Sequence, residues 1–308
     1  MDVQKIFLLF IIQGFYRGFE CQRNRRITAL LGSCVEVPCI RRYDGISDDM
    51  WYSEDDYGED SSSEEEECTD RASPVPGGRS CTLRIDPVRR EDEKVYYCRS
   101  GDKSQSYEYY LSSYDIYLEV RDFPEAPQFF ISEYLMEGEA TTIRCTIGHT
   151  CGSGPPDLQW NKPGHVIKKS VDLKYGLWRE ESALSYTPSY EDDGSLIQCT
   201  ATHRNGQRSE GSAELTIHFA PKYVTVVIIE KDKIIGGNAV TLMCASISKP
   251  EVNEYEWYKG RNKTKLPDIG WKIRVMDVTS DMEPYSCAAR NTVGRGESAP
   301  MEIPISFP

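Results

Sequence analysis

The sequence predicts an all-β protein made of three tandem β-sandwiches. Its length of 308 residues suits three sandwiches of about 100 residues each. A cysteine, a tryptophan and a second cysteine recur three times at roughly that spacing. Short runs between them, such as Ala239–Cys244, alternate apolar and polar residues, as strands with one buried face do.

The repeated triplets match the signature of immunoglobulin-like domains, in which the two cysteines join the sheets and the indole packs against them. The triplets are Cys39–Trp51–Cys98, Cys145–Trp160–Cys199 and Cys244–Trp257–Cys287. Tyr96 and Tyr285 precede the last cysteine of the first and third triplets by two residues, as a tyrosine corner requires. Ile197 takes that place in the second.

The three predicted domains differ in length. The tryptophan and the second cysteine are 47 residues apart in the first domain, 39 apart in the second and 30 apart in the third. The extra length gives room for the two additional strands of a variable-type (V-type) domain, so we predict one V-type domain followed by two C2/I-type domains. The predicted ranges are 21–121, 122–219 and 220–308, with short proline-bearing joints that favour a stiff rod.

The N-terminus and the cysteine content predict an extracellular protein. The apolar run Ile6–Ile12 follows Lys5 and is too short to span a bilayer, so residues 1–20 are predicted to be a signal peptide. Eleven cysteines indicate an oxidising compartment. No later run is long enough for a membrane anchor, so we expect either a secreted protein or the ectodomain of a membrane protein.

Several motifs of the first two domains resemble one family. The first domain carries two cysteines within 31–39, then the segments 80–85 and 95–101, while the second carries Cys145 and, six residues on, Cys151. These motifs resemble the sialic-acid-binding immunoglobulin-type lectins (Siglecs), especially the branch of myelin-associated glycoprotein and the B-cell sialic-acid-binding receptor. The resemblance extends over essentially all of the mature chain.

The resemblance implies an unusual set of disulfides in the first domain. It implies Cys34–Cys151 between the domains and Cys39–Cys81 within one sheet, which leaves Cys68 with Cys98. Siglecs commonly have an aromatic residue at the position of Cys98, and the ordinary immunoglobulin pattern instead pairs Cys39 with Cys98 and Cys68 with Cys81. Both patterns remain open, and peptide mapping of the unreduced protein distinguishes them. Cys145–Cys199 and Cys244–Cys287 are predicted in either case.

The resemblance also implies a sugar site in the first domain. Arg99, directly after Cys98, matches the arginine that pairs with the sialic acid carboxylate, because a guanidinium can meet a carboxylate with two parallel hydrogen bonds. Tyr107, Tyr109 and Tyr110 are the candidates for packing against the glycerol and N-acyl groups. The implied function is a lectin for sialylated glycoproteins or glycolipids, active in cell adhesion or immune recognition.

An acidic segment suggests an alternative partner. Residues 48–70 hold twelve acidic residues and no basic one. Their twelve negative charges nearly equal the net charge of −13 of the whole chain. The segment can be interpreted as a solvated loop, as a calcium site, although it lacks the ligand order of an EF-hand, or as a docking strip for a basic protein. The last interpretation gives the alternative function, a receptor that binds a protein ligand independently of sialic acid.

Other classes of function are disfavoured. The four histidines, His149, His165, His203 and His218, lack metal-ligand spacing, so no metal or cofactor is predicted. No nucleophile or phosphate-loop motif is present, so we predict no catalytic residues, and the acidic balance disfavours nucleic acid. Asn262, in Asn262-Lys263-Thr264, is the one N-glycosylation sequon.

Overall fold

The computed structural model describes residues 24–38, 48–53, 72–74, 81–101, 112–230 and 234–306. The described chain consists of β-strands with two short 3-10 turns, arranged as consecutive two-layer sandwiches. The predicted all-β class of tandem immunoglobulin-like sandwiches is confirmed. The N-terminal segment predicted as a signal peptide lies outside the described residues.

The first sandwich contains seven described strands. They are β1 (Asn24–Leu30), β2 (Val35–Pro38), β3 (Asp48–Ser53), β4 (Ala72–Pro74), β5 (Cys81–Ile85), β6 (Val95–Gly101) and β7 (Ser112–Arg121). One sheet has the order β1-β7-β6-β3, and the facing sheet has the order β2-β5-β4. Trp51, 1% exposed, packs in the core between the sheets with Cys98, Leu83 and Leu118. The Tyr96 hydroxyl donates to the carbonyl of Asp92 at 3.2 Å, which forms the tyrosine corner.

The second sandwich contains eight strands. They are β8 (Gln128–Phe130), β9 (Leu135–Met136), β10 (Thr141–His149), β11 (Asp157–Trp160), β12 (His165–Asp172), β13 (Trp178–Tyr186), β14 (Leu196–Thr202) and β15 (Arg208–Glu214). Its sheets have the orders β12-β13-β10-β8 and β11-β14-β15. A disulfide between Cys145 and Cys199 joins β10 to β14. The indole of Trp160 donates to the Ser182 hydroxyl at 2.9 Å, which ties the same two layers together.

Seven strands are described in the third sandwich. They are β16 (Ile217–Ile228), β17 (Val240–Lys249), β18 (Glu254–Lys259), β19 (Thr264–Lys265), β20 (Lys272–Val275), β21 (Tyr285–Arg290) and β22 (Arg295–Glu297). One sheet has the order β20-β17-β16, and the other has the order β19-β18-β21-β22. A disulfide joins Cys244 to Cys287, and Trp257 is fully buried beside it.

Strand β16 belongs to two sandwiches at once. Its first residues pair in parallel with β9 of the second sandwich, where Ile217 lies opposite Leu135. Its last residues pair antiparallel with β17 of the third sandwich, where Ile228 lies opposite Leu242. The boundary between the predicted ranges 122–219 and 220–308 lies within β16, whose register with β17 shifts between Phe219 and Lys222 and again between Lys222 and Thr225. The second and third sandwiches are therefore connected without a free linker.

The side chain of Asn291 reinforces the junction between the second and third sandwiches. The Asn291 amide donates to the carbonyls of Phe219, at 2.8 Å, and Pro250, at 2.9 Å. Its oxygen accepts from the backbone N–H groups of Val293 and Gly294, each at 3.0 Å. Asn291 is only 4% exposed, so these four bonds satisfy groups that have little access to water.

We expect Asn291→Ala to lower the free energy of unfolding by about 2 kcal/mol, because it leaves buried carbonyl and N–H groups without partners. Urea unfolding followed by fluorescence measures this change. Asn253→Ala, which truncates an exposed asparagine of the same sandwich, is the control and should cost less than about 0.5 kcal/mol. Equal effects of the two substitutions would contradict the prediction.

The first and second sandwiches share a covalent and hydrogen-bonded junction. A disulfide joins Cys34, just before β2, to Cys151, just after β10. Beside it the Thr150 hydroxyl donates to the Cys34 carbonyl at 2.7 Å, and the Glu36 N–H donates to the Thr150 carbonyl at 3.3 Å. Among the described strands β2 lies at the edge of its sheet, and these bonds pair part of that edge with the second sandwich.

A turn of the second sandwich also packs into the first. Residues 173–177 connect β12 to β13, and Gly176 lies against β2. A Cβ at Gly176 would lie 2.7 Å from the Glu36 carbonyl oxygen and 2.8 Å from Val37 Cγ2, so only glycine fits. The neighbouring Leu177 packs against the core of the first sandwich. The guanidinium carbon of Arg25 on β1 lies 3.4 Å from the centre of the Tyr175 ring.

The turn between β14 and β15 makes a third set of contacts with the first sandwich. The Asn205 amide donates to the Leu31 carbonyl at 2.7 Å, and Arg204 pairs with Asp86 at 2.9 Å. The Gln207 amide donates to the carbonyl of Asp122 at 2.9 Å, which fixes the connecting segment. Three parts of the second sandwich therefore hold the first in a defined orientation.

Two buried histidines lie close to the junction between the first and second sandwiches. The side chain of His149 at the end of β10 is 4% exposed and lies 3.2 Å from the Glu180 carboxylate. Burial lowers the pKa of His149 despite the opposing effect of Glu180. Burial also lowers the pKa of His203, and the positive charge of Arg121 adds to that effect.

Acidification should therefore destabilise this part of the protein. A buried histidine whose pKa is lower in the folded state does not oppose folding above its unfolded pKa of about 6.5, where it is neutral in both states. As the pH falls below that value the unfolded chain takes up a proton first, so the folded state loses stability relative to it. We expect the urea midpoint to fall between pH 7.5 and pH 5.5, and His203→Gln to reduce that fall. His165→Gln, which removes an exposed histidine of β12, is the control and should leave the fall unchanged.

Candidate functional site

The outer face of the β1-β7-β6-β3 sheet contains the position of Arg99. Along β6 the side chains of Tyr96 and Cys98 are buried, so alternation places position 99 on the outer face. Its Cα is paired with Met50 on β3 and with Ser113 on β7. The backbone at 99 thus lies on the outer face of this sheet, and the side chain of Arg99 lies outside the described part.

The three tyrosines predicted to contact the sugar lie outside the described residues. Tyr107, Tyr109 and Tyr110 precede the first described residue of β7, so their role stays a prediction. Cys39 and Cys68 lie outside the described residues as well, as does the side chain of Cys81. Cys98 is 2% exposed and disulfide-bonded, and both open pairing patterns remain predictions.

The structure adds residues to this face that sequence reasoning missed. Tyr97 lies opposite Asp115, and Val95 lies opposite Tyr117, all at outer positions of β6 and β7. Alternation from position 99 along β6 could have identified Tyr97. The residues of β7 could not be found in that way, because they depend on the register between two strands that are separated by a long segment.

Charged residues at the other end of the face are already paired. Arg26 on β1 lies 3.6 Å from the Glu119 carboxylate and 5.3 Å from the centre of the Tyr117 ring. The Tyr117 hydroxyl donates to Glu93 at 3.2 Å, and Thr28 donates to Glu119 at 3.0 Å. This end of the face therefore forms a connected polar network rather than an open anion site.

Other kinds of site have little support in the described chain. Within the described residues, no group of three or more histidine, cysteine, aspartate or glutamate side chains is placed to hold a metal ion. In the same part of the chain, no helix has the length and apolar character needed to cross a membrane. Asn262 is exposed between β18 and β19, where an attached glycan would project into solvent.

Comparison with known proteins places these features in context. A family model described as an immunoglobulin domain matches residues 125–218. Human sialic acid-binding Ig-like lectin 5 is 26% identical over 312 residues, which cover 90% of this chain and 55% of that protein. The mouse B-cell receptor CD22 is 23% identical over 74% of this chain and 28% of that receptor.

Similarity extends to an adhesion molecule as well. Cell adhesion molecule Dscam1 of Drosophila melanogaster is 26% identical over 73% of this chain and 11% of that molecule. The chain spans 55% or less of the length of these three relatives. The resemblance carried by the cysteine and arginine motifs is supported by the alignments to a lectin and to CD22. The chain is built of tandem immunoglobulin-like domains, and its sequence is similar to a sialic acid-binding Ig-like lectin and to CD22.

Proposed function

We propose that this protein is an extracellular recognition protein whose first domain binds sialylated glycoproteins or glycolipids on cells. The observation that supports this proposal best is the position of Arg99. It follows the buried Cys98 on β6 and belongs to the outer face of its sheet, in a chain that aligns with a sialic acid-binding lectin over 90% of its length.

The proposed chemistry is recognition of a carboxylate by a guanidinium. Sialic acid carries its negative charge on a planar carboxylate, and an arginine can donate two parallel hydrogen bonds to that group. Tyr97, half-buried on the same face and two residues before position 99, offers an aromatic surface to the rest of the sugar. Single sugars bind weakly, so clustered ligands and clustered receptors would provide avidity.

The junction between the first two sandwiches supports this role. The disulfide at Cys34, the turn at Gly176 and the hydrogen bond from Asn205 hold the first sandwich against the second. A recognition domain held in this way presents its outer sheet face in a fixed direction. Binding then costs less orientational entropy than it would for a freely jointed domain.

The test is binding to sialylated cells and to a sialoglycan array with the wild type and Arg99→Lys. We expect at least a tenfold loss of binding in the variant, because lysine keeps the charge but loses the two-pronged geometry. Arg84→Lys, on an exposed position of the opposite sheet, is the matched control and should bind as the wild type does. Unchanged binding of Arg99→Lys would contradict the proposal.

A second candidate function rests on the acidic segment 48–70, whose twelve acidic residues could attract a basic protein. The segment lies outside the described residues except for β3. Sialidase treatment of the target cells separates the two functions. Binding that disappears supports the lectin, whereas binding that persists and weakens with added salt supports the protein ligand.

A further inference from the structure

Strand β12 forms an open edge of the second sandwich. It is the terminal strand of the sheet β12-β13-β10-β8, and seven of its eight residues are exposed. Among the described strands, β13 is its one partner. An edge strand of this length, whose outer backbone groups face solvent, is a template for pairing with a second strand.

Hydrogen bonding at the end of β12 shows which of its backbone groups face outward. The Leu173 N–H, directly after β12, donates to the Leu177 carbonyl at 2.9 Å, on the side of β13. Backbone groups of successive residues in a strand point to opposite sides, so the other odd-numbered positions of β12 also bond toward β13. The even-numbered positions, from Val166 to Asp172, therefore direct their N–H and C=O groups away from the sheet.

The side chains of β12 divide between the two faces of the sheet. Ile167 and Leu173 are six residues apart on one face, and they are 61% and 45% exposed. Lys168 and Asp172 are four residues apart on the other face. There Lys168 forms an ion pair with Asp157 on β11, and Asp172 accepts a backbone hydrogen bond from the turn that follows. The edge thus carries an apolar pair on one face and opposite charges on the other.

The lysines of β12 disfavour several ways of pairing this edge with a second copy of itself. In an antiparallel pair, a two-fold axis centred on Lys168 or on Lys169 places that lysine directly opposite its own copy. An axis centred on Val171 places Lys168 opposite Lys174 of the second copy. Like charges directly opposite each other destabilise a strand pair, and edge lysines commonly protect against unwanted pairing in this way.

We propose that β12 is the interface of an antiparallel, two-fold symmetric dimer of this protein, centred on Ser170. In this register Lys168 lies opposite Asp172 of the second copy. On the other face, Ile167 lies opposite Leu173 of the second copy. Ser170 directs its backbone outward, so the two copies of Ser170 exchange N–H···O=C bonds across the axis. Two-fold symmetry forms each side-chain contact twice.

The dimer would orient the two copies in opposite directions. The turn 173–177 that follows β12 packs against the first sandwich. Antiparallel pairing therefore places the two first sandwiches toward opposite ends of the dimer. Such an arrangement suits contact between copies on apposed surfaces, and it requires no sugar ligand. The dimer and the proposed lectin function are therefore independent of each other.

Sedimentation equilibrium of the full chain measures this association. The average mass of the wild type should rise toward that of two chains, with a Kd on the order of 10–100 µM, because an interface built mainly from one pair of strands is small. Lys168→Asp and Asp172→Lys should each weaken dimerisation by about tenfold or more. Either substitution replaces two pairs of opposite charges with two pairs of like charges.

A mixture of these two variants is the matched control. When a Lys168→Asp chain meets an Asp172→Lys chain, opposite charges face each other at both ends of the interface, so the mixture should dimerise as the wild type does. A mixture that dimerises no better than either variant alone overturns the proposal.

Ser170→Pro tests the backbone pairing separately. It removes an outward N–H while leaving the bonds toward β13 in place, and it should abolish dimerisation. Ser170→Ala is its control, because it also loses the hydroxyl contact with Glu180 but keeps the N–H. It should dimerise as the wild type does. A wild type that stays monomeric up to about 300 µM, or a dimer that survives Ser170→Pro, overturns the proposal.

Discussion

Replacing Cys34 and Cys151 together by alanine is expected to lower the free energy of unfolding by about 4 kcal/mol. The two residues are 117 positions apart, and cross-links that close loops of roughly that length restrict the unfolded chain most. The same bond joins the edge strand β2 to the second sandwich, so its loss should also loosen the first junction. Urea unfolding of the oxidised protein, monitored by fluorescence, measures the change.

A control separates the cross-link from the local packing around it. Thr150→Ala removes the hydroxyl bond to the Cys34 carbonyl but leaves the disulfide in place. It should cost about 1 kcal/mol, as the loss of one buried hydrogen bond does. A double cysteine variant that is no less stable than Thr150→Ala would show that the disulfide contributes little.

Gly176→Ala is expected to lower the free energy of unfolding by about 3 kcal/mol. Part of this cost is conformational, because φ at Gly176 is +78° and a Cβ disfavours the left-handed region by about 1–2 kcal/mol. The rest comes from the contact with β2, where a Cβ would lie 2.7 Å from a backbone oxygen that has little freedom to move. The measurement is again urea unfolding.

Gly138→Ala provides a matched control for this prediction. Gly138 has nearly the same φ, +75°, and a Cβ there would meet no atom within 4 Å. Its substitution should therefore cost only the conformational part, about 1–2 kcal/mol. The difference between the two variants measures the contact between the first and second sandwiches. Equal losses would mean that the turn does not press on β2 as the structure indicates.

Much of the fold could be predicted from the sequence because its signals are local. Trp51 and Trp257 are buried in the cores that their flanking cysteines predict, and Tyr96 forms its corner hydrogen bond. The junctions could not be predicted in the same way. The short proline-bearing joint at the second boundary favoured a stiff connection, but that β16 continues through Pro221 depends on pairing partners that are distant in sequence.

The candidate site was predictable only in part. The cysteine motif located Arg99, and alternation along β6 assigns that position to the outer face. The neighbours on β7, including Asp115, depend on the register between β6 and β7. The ten residues between these strands lie outside the described part, and the sequence alone does not fix that register. Gly176 is recognisable as a turn residue, but its contact with Glu36 joins two domains and has no signal in the sequence.

Strand β16 has a mechanical consequence for a protein that connects surfaces. Tension applied along the chain passes from the second sandwich to the third through β16, whose register with β17 shifts twice between Phe219 and Thr225, without a slack linker to absorb it. Pulling these two sandwiches apart therefore requires shearing the hydrogen bonds that β16 makes with β9 or β17. Rotation of one sandwich against the other is opposed by the hydrogen bonds of Asn291 to Phe219 and Pro250 and by the ion pair between Lys249 and Asp193.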